Sequence, residues 1–120
     1  MRLPDVEAMV KPFIDGVVSP VKVGTKVPNP RPKKYVRFWV NGGAAVNRVL
    51  ERVQVTVDCW AASPTEASAM AQDIRHAFLN DTVHALVKGV EEVTRPYPAD
   101  DETSDRYRAT YALLVRAQRT

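Results

Sequence analysis

The chain has 120 residues, 45% of them hydrophobic, with a single cysteine and a formal net charge of +3. That length fits one domain with a core of its own, and the composition excludes a disordered chain and an intramolecular disulfide. No stretch reaches the ~20 apolar residues of a transmembrane helix, and MRLPDVEAMVKPF lacks the apolar run of a signal peptide, so the cytoplasm, or a particle assembled there, is the expected location.

The charge is unevenly spread. Residues 1–60 hold ten Lys/Arg against five Asp/Glu, and residues 61–120 hold seven against nine. A basic front half can meet nucleic acid or an acidic protein surface; a solvated surface is the plainer reading.

Pro4 to Gly16 reads as the first helix. Val6, Met9, Val10, Phe13, Ile14 and Val17 follow helical spacing, Asp5 and Glu7 suit the N-terminus, and Gly16 is a plausible stop. Pro12 conflicts with a straight helix and predicts a kink or two short turns. Val21, Val23, Thr25 and Val27 then alternate with Lys22, Gly24 and Lys26, a short strand with its lysines facing water. Pro28, Pro30 and Pro32 block helix and deny ladder donors, so Pro28–Lys34 is expected as an exposed, extended segment, either a stiff connector or a contact arm presenting Arg31, Lys33 and Lys34.

Tyr35 to Val40 is a second strand with aromatic residues on both faces: Val36, Phe38 and Val40 on one, Tyr35, Arg37 and Trp39 on the other. The second face should therefore also be covered, by a neighbouring subunit or by another part of the chain. Asn41–Asn47, with Gly42 and Gly43, reads as a turn. It leads to the central strand Glu51–Ala61, where Val53, Val55, Val57 and Cys59 alternate with Arg52, Gln54, Thr56 and Asp58. Ser63-Pro64-Thr65-Glu66 is a capping box with proline at the first helical position, and Ala67, Met70, Ala71, Ile74, Ala77 and Phe78 form one helical stripe ending near Asn80. Val87–Thr94 is a weaker strand broken by Gly89. Arg95–Asp105 is expected as an acidic, proline-bearing loop. Arg106–Ala117 is the last strand, with Tyr107, Ala109, Tyr111, Leu113, Val115 and Ala117 on its apolar face and Arg106, Arg108, Thr110 and Arg116 on the other. The expected architecture is an α+β domain with a mostly antiparallel sheet of about four to five strands and two helices packed on one face.

Chemistry-bearing residues are few. Cys59 on an apolar strand face reads as a small buried hydrophobe. His76 and His84 lack a carboxylate–nucleophile arrangement and read as structural or surface residues. Asp100, Asp101, Glu102 and Asp105 lack the spacing and glycine of a calcium loop and read as a solvated charge run. Trp39, Trp60, Tyr107 and Tyr111 could stack bases beside the arginines, although core packing accounts for both tyrosines. No cofactor, metal or catalytic residue is expected.

The run GGAAVNRVLERVQVTVDCWAASPTEASAMAQDIRHAFLN resembles the tail terminator proteins, also called tail completion or minor tail proteins, of long-tailed actinobacterial phages and prophages. The resemblance is carried by a glycine-rich hairpin, a strand ending in Cys59-Trp60-Ala61, and a helix with Ala67 and Ala71 spaced A-x-x-x-A. Val27–Pro32 (V-P-x-P-R-P), Gly89–Val93 (G-V-E-x-V) and the final alternating strand look like the family too. The resemblance implies a non-enzymatic virion protein that forms a ring, commonly a hexamer, on the head-proximal end of the tail tube. Its implied partners are further copies of itself, the tail tube protein and the head-completion or neck proteins, with DNA passing through the lumen without sequence-specific binding and no membrane. The arm, the glycine turn and the Arg95–Asp105 loop are expected to make the ring and tube contacts. Arg31, Lys33, Lys34, Arg37, Trp39, Gly42, Gly43, Arg106 and Arg108 are the candidate contact residues, and Arg106, Arg108 and Arg116 face a lumen or a neighbour. A head-closure or stopper protein, or a small nucleic-acid-binding module, are the alternatives.

Overall fold

The computed structural model describes residues 2–99 and 104–119. Its elements run α1 (Val6–Val18), β1 (Lys22–Gly24), β2 (Tyr35–Ala45), β3 (Leu50–Ala61), α2 (Pro64–Asn80), β4 (Val87–Pro98) and β5 (Asp105–Arg116), in the expected order of helices and strands.

α1 starts where Asp5 accepts a hydrogen bond from the Ala8 amide at 3.1 Å, and buries Val6, Met9, Val10, Ile14 and Val18. It runs through both Pro12 and Gly16 as one helix, so the expected division into short turns does not occur. Pro12 and Ala8, whose carbonyl loses its helical donor, both sit on the exposed side, where water can take up the lost bond. α2 begins at the predicted cap: the Ser63 hydroxyl accepts from the Glu66 amide at 3.2 Å, with Pro64 opening the helix.

The strands form one five-stranded sheet in the order β1-β2-β3-β5-β4. The α+β class holds, but the sheet is mixed rather than mostly antiparallel. β2–β3, β3–β5 and β5–β4 pair antiparallel, whereas β1 pairs parallel with β2 through Lys22↔Tyr35, Val23↔Val36 and Gly24↔Arg37. β1 is shorter than the alternation over Val21–Val27 predicts; the chain leaves the sheet after Gly24 to return to the starting end of the parallel strand.

Two other boundaries move. β2 continues to Ala45, so Gly42 and Gly43 lie in the strand, at a register shift between Val40 and Gly43, and the turn falls at residues 46–49. There the Asn47 side-chain oxygen accepts from the amides of Val49 and Leu50, closing the hairpin as an Asx-turn. At the other edge, β4 extends to Pro98, and Arg95–Pro98 is strand instead of loop. Pro96 and Pro98 fit because β4 is an edge strand, with register shifts that let it miss ladder bonds. The acidic residues Asp100, Asp101 and Glu102 lie outside the described residues.

Both helices lie on one face of the sheet. Val10 and Ile14 of α1 and Ile74 and Phe78 of α2 meet Val36, Phe38, Val55, Tyr111 and Leu113 in a single apolar cluster. Phe78 stacks on Tyr111 with centroids 4.6 Å apart and tilts against Phe13 at 5.1 Å. Cys59 belongs to this core; burial pushes its thiol well above the ordinary range, as expected for an inert side chain.

Candidate assembly surface

The residues that alternate away from the helices form the other face of the same sheet. The register aligns them in rows across the strands: Tyr35–Trp60–Arg106, Arg37–Asp58–Arg108–Tyr97 and Trp39–Thr56–Thr110–Thr94. No helix packs on these rows, yet Trp60 and Asp58 are fully buried. The covering layer is made of the chain's own arginines. Guanidiniums of Arg37 and Arg108 lie 4.5 and 5.4 Å from the Trp39 ring, and those of Arg31 and Arg106 lie 5.3 and 5.7 Å from the Trp60 ring. Each indole thus carries two cations within the range of a cation–π contact.

Asp58 anchors the middle row. Arg108 donates to both of its oxygens, Nε to Oδ1 at 2.7 Å and Nη2 to Oδ2 at 2.9 Å, and Arg106 Nη1 approaches Oδ2 at 3.8 Å. A carboxylate with no exposed surface is tolerated only when paired and hydrogen-bonded in this way, and the bidentate fork supplies both. These hydrogen bonds hold the Arg108 guanidinium protonated more firmly than usual. Beside this pair the Thr56 and Thr110 hydroxyls lie 3.1 Å apart across the strands. The Trp60 Nε1 donor is buried without a hydrogen-bond partner among the described residues.

The proline-rich arm crosses this face. As the link between two parallel strands it has to span the sheet, and it does so on the side away from the helices: Tyr35 donates its hydroxyl hydrogen to the Lys26 carbonyl at 2.6 Å, Arg37 Nε donates to the Thr25 carbonyl at 3.1 Å, and Arg31 reaches over Trp60. Gly24 lets the Tyr35 ring pass, since a Cβ there would overlap the Tyr35 hydroxyl. The arm is therefore both connector and cover. Lys33 and Lys34 remain exposed on it, outside the arginine–tryptophan layer.

The structure thus brings together Arg31, Arg37, Trp39, Arg106 and Arg108 and leaves the other candidate contacts apart. Gly42 and Gly43 lie in the β2 bulge, where Gly43 has φ +136° and its Cα stands so close to β3 that a Cβ would overlap the Arg52 carbonyl. Arg116 sits exposed at the far end of β5. His76 and His84 have separate local partners: the Asn80 side chain donates to the His76 carbonyl, and His84 Nδ1 accepts from the Leu86 amide. Sequence reasoning missed Asp58. The only available signal was its place two residues from Trp60 on a strand with buried neighbours, opposite an arginine that register alone reveals.

Such a layer can present fixed positive charge and a fixed shape to a ligand. Among the described residues no helix is long and apolar enough to cross a membrane, and no group of His, Cys, Asp and Glu side chains is clustered to hold a metal. Comparison with known protein families and with curated proteins finds no match.

Proposed function

We propose that this chain is a non-enzymatic virion assembly protein of the tail terminator type. In this reading, copies close into a ring on the head-proximal end of a phage tail tube, stop tube growth and present a surface to the neck. The sequence motifs from Val27 to Val93 suggest the family. The observation that carries the reading is the sheet face opposite the helices. A two-layer α+β domain buries one sheet face under its helices, and its other face normally meets solvent or a partner. Here that face is built of ordered arginines and tryptophans, residues enriched at the energetic centres of protein interfaces. Rings require a heterologous contact, in which two different surfaces of the same subunit meet. The arginine face and the helix layer, on different sides of the sheet, are two different surfaces of one subunit.

Light scattering and negative-stain imaging of the purified chain, alone and with tail tubes, test this. Rings, or density added to one end of each tube with arrest of its growth, are the expected result. A chain that stays monomeric in the presence of tubes and leaves their length distribution unchanged overturns the proposal. Arg31→Glu/Lys33→Glu/Lys34→Glu tests the arm separately: unchanged capping by that variant removes the arm from the contact.

A further inference from the structure

We propose that the helix-free sheet face docks an acidic segment of a protein partner, whose carboxylates meet the guanidiniums of Arg31 and Arg37. The inference rests on reading this face as an assembly surface, and does not depend on which assembly it serves. Charge is the first observation. Register places Arg37, Arg52, Arg106, Arg108 and Arg116 on this face and Arg31 over it. Among the described residues the carboxylates placed there, Asp58 and Glu91, are already engaged, by Arg108 and Arg52. The described residues of the face therefore carry a positive excess, which attracts an acidic partner.

Ordering is the second. Arg37 Nε is tied to the Thr25 carbonyl and Arg31 Nη1 to the Pro32 carbonyl at 3.0 Å. Side chains fixed before binding lose little rotamer entropy when a ligand arrives, so each charge contributes more. Third, Asp58 displays within the chain how a carboxylate sits in this layer: gripped by both arms of one arginine with a second arginine alongside. The aromatic surface argues for a peptide over nucleic acid. Single-stranded nucleic acid binds by stacking bases on open rings, whereas Trp60 is only 3% exposed and each indole is already overlaid by guanidiniums.

A fluorescent oligoglutamate peptide of about ten residues is a sufficient probe, with an oligodeoxythymidylate of equal charge as the competitor class. Anisotropy titration of the full chain should give saturable binding that weakens with added salt. Arg31→Gln/Arg37→Gln should weaken it about tenfold, Arg31→Gln alone should weaken it in the same direction by less, and Lys33→Gln/Lys34→Gln should leave it nearly unchanged. Thermal melting confirms that each variant is folded, and the single Arg31→Gln variant carries the test if the double one is not. Absence of saturable binding at low salt, indifference to the arginine substitutions, or tighter binding of the oligonucleotide overturns the inference. Light scattering on the same samples separates the two proposals. Rings without peptide binding overturn this one and leave the ring standing; peptide binding by a chain that never assembles does the reverse.

Discussion

On β3, Val53, Val55, Val57 and Cys59 point at the helices and are at most 3% exposed, while Thr56, Asp58 and Trp60 point the other way and are at most 4% exposed. One strand is thus buried on both sides by different means. On the helix side a second layer of structure, α1 and α2, removes apolar surface from water, and the contacts are non-directional. On the open side, arginine stems and one crossing arm lie flat on the sheet, and burial depends on hydrogen bonds and cation–π contacts with fixed geometry. The first side should tolerate apolar swaps of equal volume and fail when a cavity is opened. The second should fail when a partner is removed, even by a substitution of similar size.

Phe78→Ala should give the largest effect. It removes a ring packed on both Tyr111 and Phe13 at the junction of α2 with the sheet, and a Phe→Ala cavity costs about 3–5 kcal/mol. Urea denaturation should show that loss, with Phe78→Leu retaining most of the stability. Equal losses for the two variants would mean that the helix side, too, depends on specific ring geometry, and the contrast between the faces would weaken.

Arg108→Gln is the corresponding break on the open side. It strands the Asp58 carboxylate, which has no exposed surface and among the described residues keeps only Arg106 at 3.8 Å. Removing one partner of a buried pair costs about 3 kcal/mol. The sharper experiment is the double variant Asp58→Asn/Arg108→Gln, which removes both charges and should recover most of the loss in a double-mutant cycle. Additive losses would show that the two residues do not act as a pair.

Gly43→Ala should cost less, about 1–3 kcal/mol, from a positive φ that a side chain resists and a Cβ directed at the Arg52 carbonyl. Its melting temperature should fall, while Gly16→Ala, where nothing lies within 4 Å of the added methyl, should be neutral or stabilising.

The helix side was legible in the sequence and the open side was not. The α2 cap, the stripe from Ala67 to Phe78 and the alternation of Val53 to Cys59 each signal locally, because a helix start or a strand face is written within a few neighbouring residues. The parallel pairing of β1 has no such signal: only Lys22–Gly24 pairs, and its direction is set by an arm that reads equally well as an outward loop. The extension of β2 past Gly42-Gly43 was hidden because paired glycines mark turns more often than bulges. Two-sided aromatics on Tyr35–Val40 announced that the second face was covered, but not that the cover was Arg31, Arg37, Arg106 and Arg108. Those contacts join residues up to sixty-nine positions apart, and only the register brings them into rows.

The smallest effect concerns the ion pair at the rim of the helix side, where Arg75 of α2 grips Glu92 of β4 with two hydrogen bonds. Those bonds hold the Glu92 carboxyl below the usual carboxylate range. A carboxyl depressed on folding adds stability above its unfolded value, near 4.3, and loses it as pH falls through the lower folded value. Glu92→Gln should therefore be slightly less stable than the wild type at neutral pH and equal to it in acid, in paired denaturation curves across that range. The pair is partly exposed, with side chains 34% and 23% accessible, so the gap should also shrink with added salt. In the Asp58–Arg108 pair the carboxylate has no exposed surface, so that pair should respond to salt less. A salt response as strong for Arg108→Gln as for Glu92→Gln would mean that the open face is wet, and the distinction between a charge at the rim and a charge at the centre would fail.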